Sequence, residues 1–131
     1  MIGYVTVGTN DLERAARFYD AVAAELGVGR MMDFETLIAW GKWDGGAGIA
    51  ATKPFDGEKA TVGNGTMVAI EAKDREQVQK LHEIALAHSG SDEGEPGPRG
   101  EPDENGMLFY AAYFRDPDGN KLNAFLMEKV G

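Results

Sequence analysis

The stretch Tyr4–Gly27, YVTVGTNDLERAARFYDAVAAELG, has a second version at Met67–Gly90, MVAIEAKDREQVQKLHEIALAHSG, and the two register without a gap at a constant offset of 63. Val5 falls on Val68, Val7 on Ile70, Asp11 on Asp74, Glu13 on Glu76, Phe18 on Leu81 and Gly27 on Gly90. Self-similarity at a fixed period means one supersecondary unit used twice. Each copy opens with the alternation of a strand. An acidic residue then stands where the free N–H groups of a first helical turn need an acceptor, Asp11 (or Asn10) in one copy and Asp74 in the other. A 3.6-residue apolar repeat follows, through Leu12, Ala15, Ala16, Tyr19 and Val22 in the first copy and Val78, Leu81, Ile84 and Ala85 in the second. Gly27 and Gly90 are placed to end the helices in the left-handed conformation.

Strand patterns continue outward from each helix. In the first half they cover Arg30–Phe34, Thr36–Lys42 and Ala47–Thr52, with Asp44–Gly46 as a hairpin turn. In the second half they cover Met107–Arg115 and Lys121–Met127, around the turn DPDGN. Ser89–Gly106, SGSDEGEPGPRGEPDENG, reads as a solvated loop punctuated by Gly and Pro, with room for one further strand. Each half is therefore βαβββ. The expected fold is α+β, a single domain over 1–131, with modules at 1–53 and 66–131 and a linker at 54–65. Two such modules side by side form a cupped mixed β-sheet with the helices on its outer face.

Composition bounds the function. With 131 residues, 43% hydrophobic and 27% charged, the chain can build one core without staples. It has no cysteine, which removes disulfides, thiolate metal sites and a cysteine nucleophile. The start of the chain shows no basic segment followed by an apolar one, so no signal peptide is read and a cytoplasmic protein is expected. No apolar run reaches the roughly 20 residues of a membrane span, and no membrane partner is expected. A net charge of −9 argues against nucleic acid, whose phosphates call for a basic patch. That acidity, concentrated in the six carboxylates of residues 89–106, instead suits a cationic ligand.

Strand alternation sorts the side chains. Val5, Val7, Val68, Ile70, Leu122, Ala124 and Leu126 face the helices. Tyr4, Thr6, Met67, Glu71, Lys121, Asn123 and Phe125 take the opposite face, a mixed lining of the kind that a small-molecule cleft needs.

At VTVGTNDLERAARFY, EPGPR and YAAYFRDPDGNKLNAF the chain resembles the vicinal oxygen chelate superfamily, the group of glyoxalase I, bleomycin-resistance proteins and extradiol dioxygenases. The resemblance covers nearly the whole chain and implies the fold more strongly than any one activity. Metalloenzymes of this family hold a divalent cation with His and Glu side chains. The resemblance puts those ligand positions at Tyr4, at its repeat mate Met67, within Gly48–Ala51, and at Asn123. An amide oxygen is a weak cation ligand beside a carboxylate, and Tyr, Met and Ala complete no set for Zn, Ni, Fe or Mn. No metal and no cofactor are expected. The resemblance also adds Tyr113, three residues before the DPDG aspartate, to the pocket, and alternation brings Phe109 to the same side. Trp40, or its neighbour Trp43, is a further candidate.

Other motifs carry less. HEIALAH, from His82 to His88, has Leu86 where a zinc-binding HExxH helix needs its second His, and both His read as structural. NGT at Asn64–Thr66 is a chance glycosylation sequon. Neither GNGT nor GEPGPRG carries the Lys-Ser/Thr of a phosphate loop.

The candidate ligand-binding residues are Tyr4, Thr6, Trp40, Met67, Phe109, Tyr113, Asn123 and Phe125, with Tyr4, Met67 and Asn123 expected to converge on one cavity. Rings, a thioether and an amide suit stacking and hydrogen bonding to an organic molecule, and cation–π contact with a positive one. The expected function is metal-free binding or sequestration of a small organic ligand by a homodimer. The alternative is a glyoxalase-like lyase, isomerase or dioxygenase with an atypical site, in which Tyr4, Tyr113, Glu71 or Lys121 does acid–base work.

Overall fold

The computed structural model describes all 131 residues. Its elements run β1 (Tyr4–Gly8), α1 (Leu12–Glu25), β2 (Gly29–Asp33), β3 (Leu37–Gly41), β4 (Gly48–Thr52), β5 (Val68–Glu71), α2 (Arg75–Ala87), β6 (Ser91–Arg99), β7 (Met107–Arg115) and β8 (Lys121–Lys129). This is the α+β fold of two βαβββ modules. The eight strands fall into two four-stranded mixed sheets, ordered β1-β4-β3-β2 and β5-β8-β7-β6, with β1 parallel to β4 and β5 parallel to β8.

Both helix starts are capped as the repeat implies. The Asp11 carboxylate accepts from the Arg14 N–H at 3.1 Å, and the Asp74 carboxylate from the Gln77 N–H at 2.8 Å. The helix ends differ from each other. Gly27 takes a φ of +74°, as expected, but in the second copy the left-handed residue is Ser89, at +71°. Gly90 is required for another reason: a Cβ there would stand 2.6 Å from the carbonyl oxygens of both Ala85 and Arg115.

The largest departure from the sequence reading is β6. SDEGEPGPR is a nine-residue strand rather than a loop, paired antiparallel to β7 with register shifts between Asp92 and Gly94 and between Gly94 and Gly97. It lies at the sheet edge, where Pro and Gly are tolerated because only one side of the strand has a ladder to supply.

One continuous core joins the modules. Val7, Ile38 and Ala51 from the first sheet, Ala112, Phe114 and Leu122 from the second, and both helices contribute to a single cluster of 20 buried residues. Phe18 of α1 reaches Phe114 of β7, with ring centroids 6.5 Å apart. Both sheets thus turn their apolar faces to this shared core, and their other faces turn away from it. No helix is long and apolar enough to cross a membrane.

Candidate functional site

The β7–β8 hairpin builds the most distinctive open face. At its turn the Asp116 carboxylate accepts from the N–H groups of Asp118 and Asn120, both at 2.9 Å, while Gly119 supplies a φ of +91°. That turn sets the register: Tyr113 lies opposite Asn123, Ala111 opposite Phe125 and Phe109 opposite Met127. On the other side of β8, Ala69 and Glu71 of β5 pair with Asn123 and Phe125. Since Tyr110, Ala112, Phe114, Leu122 and Ala124 enter the core, the alternate residues Phe109, Tyr113, Lys121, Asn123 and Phe125 share the opposite face.

Along this face Phe109 and Phe125 stack, with centroids 5.6 Å apart and planes 17° off parallel. Next to Phe125 along β8, Asn123 is 1% exposed, and its Oδ1 has no hydrogen-bond partner. A buried amide oxygen without a donor is costly, and native structures leave few of them. The Tyr113 ring beside it carries two cations. The Arg99 guanidinium carbon lies 5.4 Å from the ring centroid and the Lys121 Nζ 5.5 Å from it. Arg99 donates to the carbonyls of Gly97 and Glu95, at 2.8 and 2.7 Å, which folds its side chain back along β6 beside Gly94 and Gly97. None of the chain's ion pairs involves Arg99 or Lys121.

Arg99 is not among the sequence candidates, because composition assigns its segment to a solvated loop. The signal available was the pattern G-x-x-G-P-R, in which two glycines two and five residues before an arginine leave its side chain a floor.

The remaining sequence candidates are placed elsewhere. Tyr4 (44% exposed) and Thr6 lie on the open face of the other sheet, opposite Gly48 and Ala50 in register. Met67 lines an apolar cleft of about 690 Å³ at the junction of the modules, with Val5, Tyr19, Leu26, Ile49 and Ile70. A second cleft, of about 660 Å³ and mixed charge, lies at the start of α1. Neither cleft takes in Tyr4 or Asn123.

Trp40 stands apart from the face of Tyr113 and Asn123. It faces α1 rather than the open face, is 2% exposed, packs against Tyr19 at 5.2 Å, and donates its Nε1–H to Asp20 at 2.7 Å. It does touch the apolar junction cleft, but from the core side. Arg30, bonded to the same carboxylate, holds Asp20 below the usual carboxylate range, and the Trp40 bond adds to this. The pleat explains the placement: Ile38 and Trp40 share a side of β3, and Ile38 is core. Trp43, its neighbour candidate, is exposed after β3.

At the ligand positions that the resemblance implies stand Tyr4, Met67, the Gly48–Ala51 stretch and Asn123, and no group of three or more His, Cys, Asp or Glu side chains is arranged to hold a metal ion. The Asn123 amide is flanked on its face by Ala69 and Tyr113. His82 Nε2 is bonded to Asp92 at 2.8 Å, and the His88 ring to the Ile84 carbonyl.

Comparison with known proteins agrees with this architecture. The family pattern of the Glyoxalase/Bleomycin resistance protein/Dioxygenase superfamily matches residues 1–124. No curated protein matches the chain. Among solved structures, a glyoxalase/bleomycin resistance protein from Albidiferax ferrireducens T118 is 36% identical, with a TM-score of 0.84 over 95% of this chain and 98% of its own. A glyoxalase-related enzyme from Fulvimarina pelagi (23% identity, TM-score 0.68, 95% and 86% covered) and a lactoylglutathione lyase from Agrobacterium tumefaciens (19%, 0.65, 95% and 92%) share the fold.

Proposed function

This chain belongs to the Glyoxalase/Bleomycin resistance protein/Dioxygenase superfamily, and we propose that within it the protein binds and sequesters a small organic molecule without a resident metal. One observation carries the reading. Asn123 is buried at the centre of an aromatic face with its amide oxygen unpaired. A ligand that hydrogen-bonds the Asn123 amide, and lays an apolar body over Phe109 and Phe125, offsets the cost of burying that amide unpaired. The chemistry beside Asn123 supports a metal-free site, since a lone neutral amide oxygen is a weak ligand and no set of His or carboxylate side chains joins it.

We further propose that the protein works as a homodimer in the cytoplasm. Free edges on β1 and β5 and the exposed side chains of Tyr4, Phe34, Trp43 and Phe55 support a second copy as the cover for these surfaces.

The test is elemental analysis of protein purified without a chelator or a histidine tag, followed by thermal shift with Zn, Ni, Mn and Fe(II) and with a library of small organic molecules. The expected outcome is no stoichiometric metal, no metal-induced shift, and a concentration-dependent rise in Tm with organic ligands. Stoichiometric metal with a clear shift overturns the reading. Light scattering checks the dimer, with twice the mass of one chain expected.

A further inference from the structure

We propose that the ligand of this face is an organic anion, a carboxylate carried on an aromatic or apolar body; the inference rests on the binding function proposed above. The chain's net charge of −9 points to a cation as ligand. The charges at the site itself point the other way. Arg99 and Lys121 both lie against the Tyr113 ring, and neither has a carboxylate partner. In a chain with 22 acidic residues and 13 basic ones, two cations within 5.5 Å of one ring centroid, neither in an ion pair, form a local positive site.

Range decides between the local and the global charge. At physiological ionic strength, charges separated by more than about 8 Å are largely screened, so groups in contact with a ligand outweigh carboxylates elsewhere on the surface. Around this end of the face no carboxylate pairs with Arg99 or Lys121, and Glu95 of β6, exposed to solvent, meets Arg99 only through its backbone carbonyl. Glu93 is paired with Arg115, and Asp92 with His82. Glu71 lies opposite Phe125, two residues along β8 from Asn123 and four from Lys121, or about 13 Å from the latter at strand rise.

The remaining parts fit an oxyanion. The Tyr113 ring holds both cations in place without neutralising them. Two bonds to its own strand's carbonyls fix the Arg99 guanidinium and leave its other N–H donors free. The unpartnered Asn123 amide can turn its N–H₂ group to the same oxygen. From there the Phe109–Phe125 stack continues the face as a platform for the ligand's body. A cationic ligand on the Tyr113 ring would instead compete with two cations already there.

The test uses the full chain and three probes of matched shape: phenylacetate, phenethylamine and 2-phenylethanol. Binding is followed by calorimetry at low salt and by the side-chain amide resonance of Asn123. Phenylacetate is expected to bind and to shift that resonance, and phenethylamine is not. Its affinity is expected to fall about fivefold to tenfold in Lys121→Gln and in Arg99→Gln, to recover in Arg99→Lys, and to fall in high salt. Because Lys121 and Arg99 lie on different strands, a disturbance of β6 in one variant leaves the other interpretable, and melting curves check both. Phenethylamine binding more tightly than phenylacetate, or phenylacetate binding equally well to both Gln variants, overturns the anion while leaving an organic ligand on the face. If no probe of any charge perturbs Asn123, Phe109 or Phe125, the binding function itself falls.

Discussion

The Tyr19 hydroxyl donates to the Asp116 carboxylate at 2.7 Å, which ties α1 of the first module to the β7–β8 turn of the second. Both residues are buried. Thr9 donates to Asp118 of the same turn at 2.6 Å, and Asn120 donates to the Gly8 carbonyl at 2.9 Å. The turn that sets the register of Tyr113 and Asn123 is therefore itself held by the other module.

Tyr19→Phe should destabilise the protein by about 1–3 kcal/mol, because a buried carboxylate loses a donor. Asp116 keeps the Asn120 side-chain donor, which limits the loss. Burial first, then the Asp116 charge, raises the Tyr19 hydroxyl well above its ordinary value of 10.0. A raised folded-state value means that this stabilisation is complete below pH 10.0 and is lost as pH rises beyond it. Melting curves from neutral to alkaline pH check this, and the Phe variant should show the shallower alkaline decline.

Asp92 should make a contribution of the opposite sign in pH. The bond to His82, and then the Gly94 N–H, hold this half-exposed carboxylate below its ordinary value of 3.8. Its stabilisation is present above 3.8 and disappears as pH falls through the lowered value. Asp92→Asn should therefore melt below wild type at neutral pH, with the gap closing well below pH 3.8.

Asn123→Leu should separate stability from function. It replaces an unpaired buried amide by an apolar group of similar size, so chemical denaturation should show a gain of about 1 kcal/mol. The same variant should lose ligand binding on the aromatic face. A marked loss of stability instead would mean that the amide is paired in the native protein.

Trp40→Phe should cost about 1–2 kcal/mol through the lost bond to Asp20 and looser packing on Tyr19. Calorimetry should find ligand affinity unchanged, since the ring lies on the core side of its sheet.

What the sequence determined by itself was local and periodic. The offset of 63 exposed the duplicated unit, and the caps Asp11 and Asp74, the DPDGN hairpin and the faces of β1, β5 and β8 could all be read from it, because capping, turn chemistry and pleat alternation act over a few residues. The same alternation puts Asn123 on the open face beside Tyr113. Three things waited for the tertiary structure. SDEGEPGPR became a strand because β7 offers it a ladder, which overrides its poor β propensity. Trp40 went to the core because the start and register of β3 decide which of its sides meets α1. And Arg99 joined Lys121 on the Tyr113 ring because β6 folds back across β7; the G-x-x-G-P-R spacing marks room for the Arg99 side chain, but the pairing of β6 with β7 decides which ring it meets.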